Sequence, residues 1–186
     1  MADAPINKAV FLDRDGVLNR AIVRDGRPYP PASLRELELL PGVREACANL
    51  HRAGYLLVMI TNQPDVARGT QTRDAVDQMN AWIAQELHLD EVRVCAHDDR
   101  DQCSCRKPKP GLIIGAARDR AIDLSRSFLV GDRWRDIEAG RAAGVRTILV
   151  DYRYQENRAC APDRTVQNLA EAADLILTGT TVEVSR

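Results

Sequence analysis

Four stretches of the sequence are apolar at almost every position rather than at every second one: Lys8 to Leu12 (KAVFL), Leu56 to Ile60 (LLVMI), Ser127 to Val130 (SFLV) and Arg146 to Val150 (RTILV). Each has the length of a strand and none that of a helix. A strand apolar on both faces must be covered on both faces, which is the condition of a parallel sheet sandwiched between helices. Val92 to Cys95 and Leu175 to Leu177 are weaker strand candidates of the same kind.

The segments between these runs carry a helical period. Pro41-Gly42 opens one, with Val43, Ala46, Cys47 and Leu50 on a single face and Gly54 as its stop. Thr72 is placed to cap a second, whose Val76, Met79, Ile83 and Leu87 face inward. A third runs from about Leu112 to Ala121, and a fourth follows Asp132, buries Ile137 and Ala143 and stops at Gly144. Strand–helix–strand alternation at this spacing predicts an α/β fold with a doubly wound, mainly parallel, Rossmann-like sheet and right-handed crossovers. The 186 residues are expected to form one domain with its core between about residues 8 and 177. No connection is long enough for a large cap domain, so the substrate is expected to be small or presented on an open surface.

In such sheets ligands bind beyond the carboxyl ends of the strands. That rule gathers three polar clusters on one rim: Asp13-Arg14-Asp15-Gly16, Thr61-Asn62-Gln63 and Gly131-Asp132-Arg133. A lone aspartate at a strand end is usually a turn residue. Two of them one residue apart permit more, because one carboxylate can attack phosphorus while the other shuttles the proton. Gly16 allows the backbone to turn sharply after the pair. The spacing does not match a calcium-binding EF-hand loop, which needs a fifth-position ligand and a closing glutamate. Phosphoryl transfer depends on positioning and on neutralising charge. A hard cation held by carboxylates, normally Mg²⁺, would meet that need, with Asp132 completing its site, and Thr61 and Lys107 are placed to steady phosphoryl oxygens.

Charge narrows the partners. Lys and Arg number 26 against 27 Asp and Glu, for a formal net charge of −1. A nucleic-acid binder normally carries a basic excess. No stretch approaches the roughly 18 apolar residues of a membrane span, and Met1-Ala2-Asp3-Ala4-Pro5 does not read as a secretory signal. A cytoplasmic protein acting on a small phosphorylated substrate is expected, without nucleic acid or membrane as partner.

Three of the five cysteines fall within eleven residues beside a histidine, as Cys95-Ala-His97 followed by Cys103-Ser-Cys105. Four such ligands suit tetrahedral Zn²⁺, and a reducing compartment disfavours a disulfide. Four protein ligands close the coordination shell, so the zinc is expected to be structural, tying down the loop that carries Arg106 and Lys107. Cys47 lies on an apolar helix face and reads as core, and Cys160 sits in a polar loop with no function assigned. Trp134 follows Asp132 closely enough either to touch substrate or to pack at a helix start.

The segments Phe11-Leu-Asp-Arg-Asp-Gly-Val-Leu-Asn19, Ile60-Thr-Asn-Gln63, Arg106-Lys-Pro108 and Val130-Gly-Asp-Arg133 resemble the four motifs of the haloacid dehalogenase superfamily. Within it, the chain is similar to the D-glycero-D-manno-heptose 1,7-bisphosphate 7-phosphatases and histidinol-phosphate phosphatases, over about Lys8 to Leu177. The resemblance implies Asp13 as nucleophile and Asp15 as general acid/base. It implies Mg²⁺ on the Asp13 and Asp132 carboxylates and the Asp15 backbone carbonyl. Thr61 and Lys107 would grip the phosphoryl group, with Asn19, Asn62, Arg106 and Arg133 as further substrate contacts. The subgroup also has a zinc loop, which the C-x-H-x₅-C-x-C spacing matches.

Two departures bear on the substrate. The second motif continues Pro64-Asp65 where Ser-Gly is usual, and a carboxylate there must point away or pair with a base such as Arg68 or Arg106. The segment Arg24 to Pro31 also differs, with Arg27 and Tyr29 as possible contacts to the distal end of a substrate. The first expectation is a sugar bisphosphate phosphatase, with heptose 1,7-bisphosphate as substrate and loss of its 7-phosphate in nucleotide-heptose synthesis. Histidinol phosphate or another small phosphomonoester is the alternative, a polynucleotide 3′-phosphatase fits the charge less well, and a zinc-stabilised, non-catalytic phospholigand-binding module is the reading from another class.

Overall fold

The structure, a computed structural model, describes residues 6–155 and 160–179. Six parallel strands form one sheet: β1 (Lys8–Leu12), β4 (Tyr55–Asn62), β5 (Glu91–Cys95), β6 (Phe128–Gly131), β7 (Arg146–Val150) and β8 (Arg164–Val166). Their order is β5-β4-β1-β6-β7-β8. A two-stranded antiparallel hairpin, β2 (Ile22–Arg24) and β3 (Arg27–Tyr29), stands apart from it. The helices are α1 (Val43–Arg52), α2 (Arg73–Leu87), α3 (Gly111–Asp119), α4 (Trp134–Ala143) and α5 (Leu169–Thr178).

Side chains alternate across a strand, and here both faces are buried. Val10 and Leu12 of β1 pack with Leu57, Met59, Val130 and Ile148 under α1, α2 and α5. Ala9 and Phe11 pack with Val58, Ile60 and Leu129 under α3 and α4. This two-sided burial is what the unbroken apolar runs encode. The edge strand β5 alternates instead, and its Glu91 and Arg93 form an ion pair, with Arg93 also bonded to Asp119. Charge at an edge discourages further strand pairing.

Helix starts follow local chemistry. The Thr72 hydroxyl accepts from the Ala75 N–H to cap α2, and the Asn168 side chain accepts from Glu171 N–H to cap α5. The helix over α1 begins after Gly42 in a left-handed conformation, as the Pro-Gly pair suggests.

One strand assignment is corrected. Leu175 to Leu177 lies inside α5, whose buried Leu169, Ala172, Ala173 and Ile176 repeat at helical spacing. The three-residue apolar run is the meeting of that buried face with an exposed Leu177. The hairpin β2–β3 occupies the proline-rich segment left without structure by the sequence patterns, and β8 was too short to stand out.

Register places the site. Leu12 is level with Met59 of β4 and Val130 of β6, and the Asp13 N–H donates to the Val130 carbonyl at 3.0 Å. Asp13 therefore emerges between two strands at the point where the chain's crossovers change direction, the usual ligand crevice of such a sheet.

Candidate active site

A cavity of about 310 Å³ opens above this point. Asp13, Asp15, Thr61, Asn62, Lys107, Asp132 and Asp136 line its floor, and Arg27, Tyr29, Arg68, Arg106, Arg133 and Arg135 are among its walls. Of the residues expected from sequence, all but Asn19 border the cavity or form the cysteine–histidine cluster.

The floor is a buried charge cluster. Lys107 Nζ lies 2.6 Å from Asp13 Oδ1, 2.5 Å from Asp136 Oδ1 and 2.9 Å from the Ile60 carbonyl. Oxygens of Asp13, Asp132 and Asp136 all fall within 4.8 Å of one another. Burial pulls the Lys107 pKa down, but the facing charges of Asp13 and Asp136 outweigh it and hold the ammonium protonated. For Asp13, burial raises the pKa to about 6 despite Lys107, with Asp136 and Asp15 adding to the rise. Asp132 is pushed well above the usual carboxylate range, first by burial and then by Asp13 and Asp136.

Three acids against one ammonium leave a buried excess of negative charge. Asp132 is buried, and the hydrogen bond it shares with Tyr154 brings no countercharge. Buried charges are stable only when paired or bound to a metal. A divalent cation with oxygen ligands fits this donor set and supplies the missing partner. Asp136 belongs to the cluster although its role was not anticipated. Its signal was present: it follows Asp132 by one helical turn, at the start of α4, where its other oxygen accepts from the Arg133 N–H at 3.1 Å.

Two glycines permit the close approach. A Cβ on Gly16 would lie 2.1 Å from Asp132 Oδ2, and one on Gly131 would lie 2.2 Å from Asp136 Cβ.

Asp15 is held from three directions. Arg14 Nε and Nη2 reach its two oxygens at 3.0–3.2 Å, Asn19 Nδ2 donates to Oδ1 at 3.0 Å, and Gln63 Nε2 donates to Oδ2 at 2.9 Å. Gln63 Nε2 also donates to Thr61 Oγ1 at 2.8 Å. Asn19 is fully buried and faces Asp15. The Asn62 amide pairs with the backbone of Lys107, accepting from its N–H at 3.1 Å and donating to its carbonyl at 3.0 Å. Arg14 and Gln63 are further residues the motifs did not single out, although both lie inside them.

The rim is rich in arginine held by acids. Asp99 accepts from Arg106 Nε at 2.7 Å and lies 3.5 Å from Arg135. Arg106 also donates to the His97 carbonyl. Asp65 pairs with Arg68 at 3.3 Å, and Arg68 also binds Asp98. The carboxylate introduced by Pro64-Asp65 is thus neutralised by Arg68. Trp134 carries Arg135 over its ring at 4.7 Å, an aromatic–guanidinium contact beside the cavity.

The cysteine–histidine cluster sits between β5 and α3. Cys95, Cys103 and Cys105 sulfurs lie 3.3–3.7 Å apart, and His97 Nδ1 is 3.6 Å from Cys95 and 3.3 Å from Cys105. A disulfide needs about 2.05 Å. Tetrahedral zinc with Zn–S near 2.3 Å spaces its sulfurs by roughly 3.7 Å, so the cluster has the dimensions of a zinc shell. Burial pushes the Cys95 thiol up to about 12, whereas hydrogen bonds led by the Arg106 N–H offset burial and hold Cys103 at about 7. Cys47 is buried in the core and Cys160 is half-buried.

Comparison with known proteins places the chain in a narrow group. Residues 104–172 match the HAD-hydrolase-like family model. The chain is 38% identical over 156 residues to a D-glycero-beta-D-manno-heptose-1,7-bisphosphate 7-phosphatase of Rhodopseudomonas palustris, covering 77% of this chain and 83% of that protein. A protein of the same name from Helicobacter pylori is 35% identical, with 91% and 97% covered. Among solved structures, a D,D-heptose 1,7-bisphosphate phosphatase from B. bronchiseptica, complexed with magnesium and phosphate, superposes with a TM-score of 0.79 at 32% identity, covering 93% of this chain and 99% of that one.

Proposed function

The chain belongs to the D-glycero-beta-D-manno-heptose-1,7-bisphosphate 7-phosphatase family of HAD-like hydrolases, and from that premise we propose that it removes the 7-phosphate of such a heptose bisphosphate through an aspartyl-phosphate on Asp13. The observation that carries this reading is the floor of the cavity: Asp13 at the end of β1, 2.6 Å from a buried, protonated Lys107 and beside Asp132 and Asp136.

In the first step an Asp13 carboxylate oxygen bonds to phosphorus as the bond to the leaving oxygen breaks. That oxygen keeps the electron pair and takes a proton from Asp15. In the second, water attacks the same phosphorus, Asp15 accepts its proton, and phosphate leaves with Asp13 restored. Covalent catalysis divides a difficult hydrolysis into two displacements. Lys107 and Thr61 offer donors to the phosphoryl oxygens, where preorganised charge does most of the work. The carboxylates of Asp13 and Asp132 and the Asp15 carbonyl would hold Mg²⁺, with Asp136 beside them. When bound, the cation neutralises phosphoryl charge. Zn²⁺ on Cys95, His97, Cys103 and Cys105 would have a structural role, keeping Arg106 and Lys107 in place.

Substrate choice rests on the rim. Arg106 and Arg133 would contact the portion beyond the reacting phosphate, and a second phosphate suits a guanidinium fork. The test is kcat/KM for D-glycero-D-manno-heptose 1,7-bisphosphate against histidinol phosphate, with p-nitrophenyl phosphate as a reference. A preference for the bisphosphate, abolished in Asp13→Asn, is expected. Equal values or a preference for histidinol phosphate would overturn the substrate, and wild-type kinetics in Asp13→Asn would overturn the mechanism.

A further inference from the structure

Arg14 is a fully buried arginine with no exposed side-chain surface. Such a residue needs partners for its whole guanidinium, since an unpaired buried charge is strongly unfavourable. Two of its nitrogens face Asp15, and the third, Nη1, donates to Asn80 Oδ1 at 2.9 Å. Asn80 is itself buried, in the middle of α2. A continuous link therefore runs from helix α2 through Asn80 and Arg14 to Asp15.

A second link reaches the same carboxylate from β4. Gln63 Nε2 bridges Asp15 Oδ2 and Thr61 Oγ1, so one amide registers the proton-shuttling carboxylate against a hydroxyl of the phosphoryl grip. Asn19 closes the third side. Asp15 keeps only 17% of its side chain exposed, and that part borders the cavity.

We propose that Arg14 and Gln63 are positioning residues that fix the Asp15 carboxylate beside the leaving-group oxygen, so that proton transfer, rather than phosphate binding, depends on them. The proposal rests on the reading of Asp15 as the proton shuttle. Asp15 gives its proton to the leaving oxygen as the bond from that oxygen to phosphorus breaks and the Asp13–phosphorus bond forms. An aspartate has two side-chain torsions, and a misplacement of about 1 Å at a reacting group can cost roughly 10²-fold in rate. Tethers from α2 and from β4 restrict both torsions.

Positioning predicts a dependence on the alcohol released. An alkoxide leaves slowly unless protonated, whereas p-nitrophenolate leaves with little help, and kcat/KM reports the first transfer. Arg14→Lys keeps the charge and loses the fork. Gln63→Leu removes the bridging amide without adding charge, and Asn80→Ala removes the anchor without touching Asp15. In each variant kcat/KM for an alkyl or sugar phosphate should fall about 10²-fold for Arg14→Lys and Gln63→Leu and about 10-fold for Asn80→Ala. The value for p-nitrophenyl phosphate should stay within about threefold, since kcat/KM does not include the second displacement, which all esters share. Uniform loss across all esters, or no loss in the folded Gln63→Leu protein, overturns the proposal. Should Arg14→Lys fail to fold, Gln63→Leu and Asn80→Ala carry the test. Failure of the phosphatase reading looks different: wild-type protein would then turn over no ester, or Asp13→Asn would match it.

Discussion

At Gly16 the backbone adopts φ +91°, and the place of a Cβ lies 2.1 Å from Asp132 Oδ2. Two requirements meet in one residue, a conformation that side chains rarely adopt and an approach they would block. Gly16→Ala must therefore move the Asp132 carboxylate or the turn after Asp15. We expect a stability loss of about 1–3 kcal/mol, with weakened magnesium dependence and at least a tenfold fall in kcat. Chemical denaturation and a magnesium titration of activity check both, and a variant with unchanged magnesium dependence would contradict the assignment of Asp132. Asp136 offers a complementary substitution. Its charge raises the Asp13 pKa and pairs with Lys107, so Asp136→Asn should lower the pH at which activity falls on the acid side while weakening magnesium binding. A pH–rate profile decides it, and an unmoved acid limb would count against the carboxylate cluster. Among individual residues, the meeting of Asp13, Asp15, Asp132 and Lys107 at one cavity was legible because, though each alone reads as a turn or surface residue, their segments together follow the motif order of such a site. The places of Asp136, Arg14 and Gln63 were not, because they depend on what these side chains meet across the fold: Arg14 donates to Asn80, sixty-six positions away.

The elements that were read correctly share one property, a pattern long enough to state its period. β1, β4, β6 and β7 are apolar on both faces because helices cover both, and α2 declares its start through Thr72. The three-residue strands β2, β3 and β8 carry no period at all. Within the hairpin, pairing between Ile22 and Tyr29 is fixed by the turn at Asp25 and Gly26, both with positive φ. The loop between β5 and α3 carries neither period nor propensity, and what gathers in it is the cluster of Cys95, His97, Cys103 and Cys105. Cys95 leaves the strand, Cys105 directly precedes Arg106 and Lys107, and the Asn62 amide clasps the Lys107 backbone from β4. Metal binding in such a loop is coupled to its folding. Cys103→Ser should therefore bind less than the one zinc per chain expected of the parent protein. It should melt several degrees lower and lose activity through misplacement of Lys107, with p-nitrophenyl phosphate turnover reduced as well. Elemental analysis and a thermal melt test this, and a zinc-free parent protein whose four ligands are freely alkylated in the folded state would refute it.

For the molecule as a whole, the cost of assembling the site falls on folding. In the unfolded chain Asp13, Asp132 and Asp136 are separately hydrated, whereas the fold brings them within a few ångströms of one another, with Lys107 paired to Asp13 and Asp136. The pKa of Asp13 rises from an ordinary 3.8 to about 6, chiefly through burial. A carboxylate whose folded pKa is raised binds its proton more tightly in the folded state. Its contribution to stability is then fully present below about pH 3.8 and is lost as pH rises through about 6. At neutral pH the metal-free protein thus holds an ionised acid in an unfavourable place, and a divalent cation takes the part that the proton plays in acid. Magnesium and protons should compete for the same oxygens. A cation present at about 100 times its Kd stabilises by about 2.7 kcal/mol, which for a chain of this size raises Tm by roughly 5–10 °C. We therefore expect a rise of that order on adding magnesium at pH 7.5, shrinking steadily below pH 6 and small at pH 5. Asp132→Asn, which removes one of the three clustered carboxylates, should show most of the loss of this increment even at pH 7.5. Melting curves of metal-stripped protein across that range, with zinc retained in its own loop, give the answer. An increment equal at pH 5 and pH 7.5 would mean that the cation does not sit on these carboxylates.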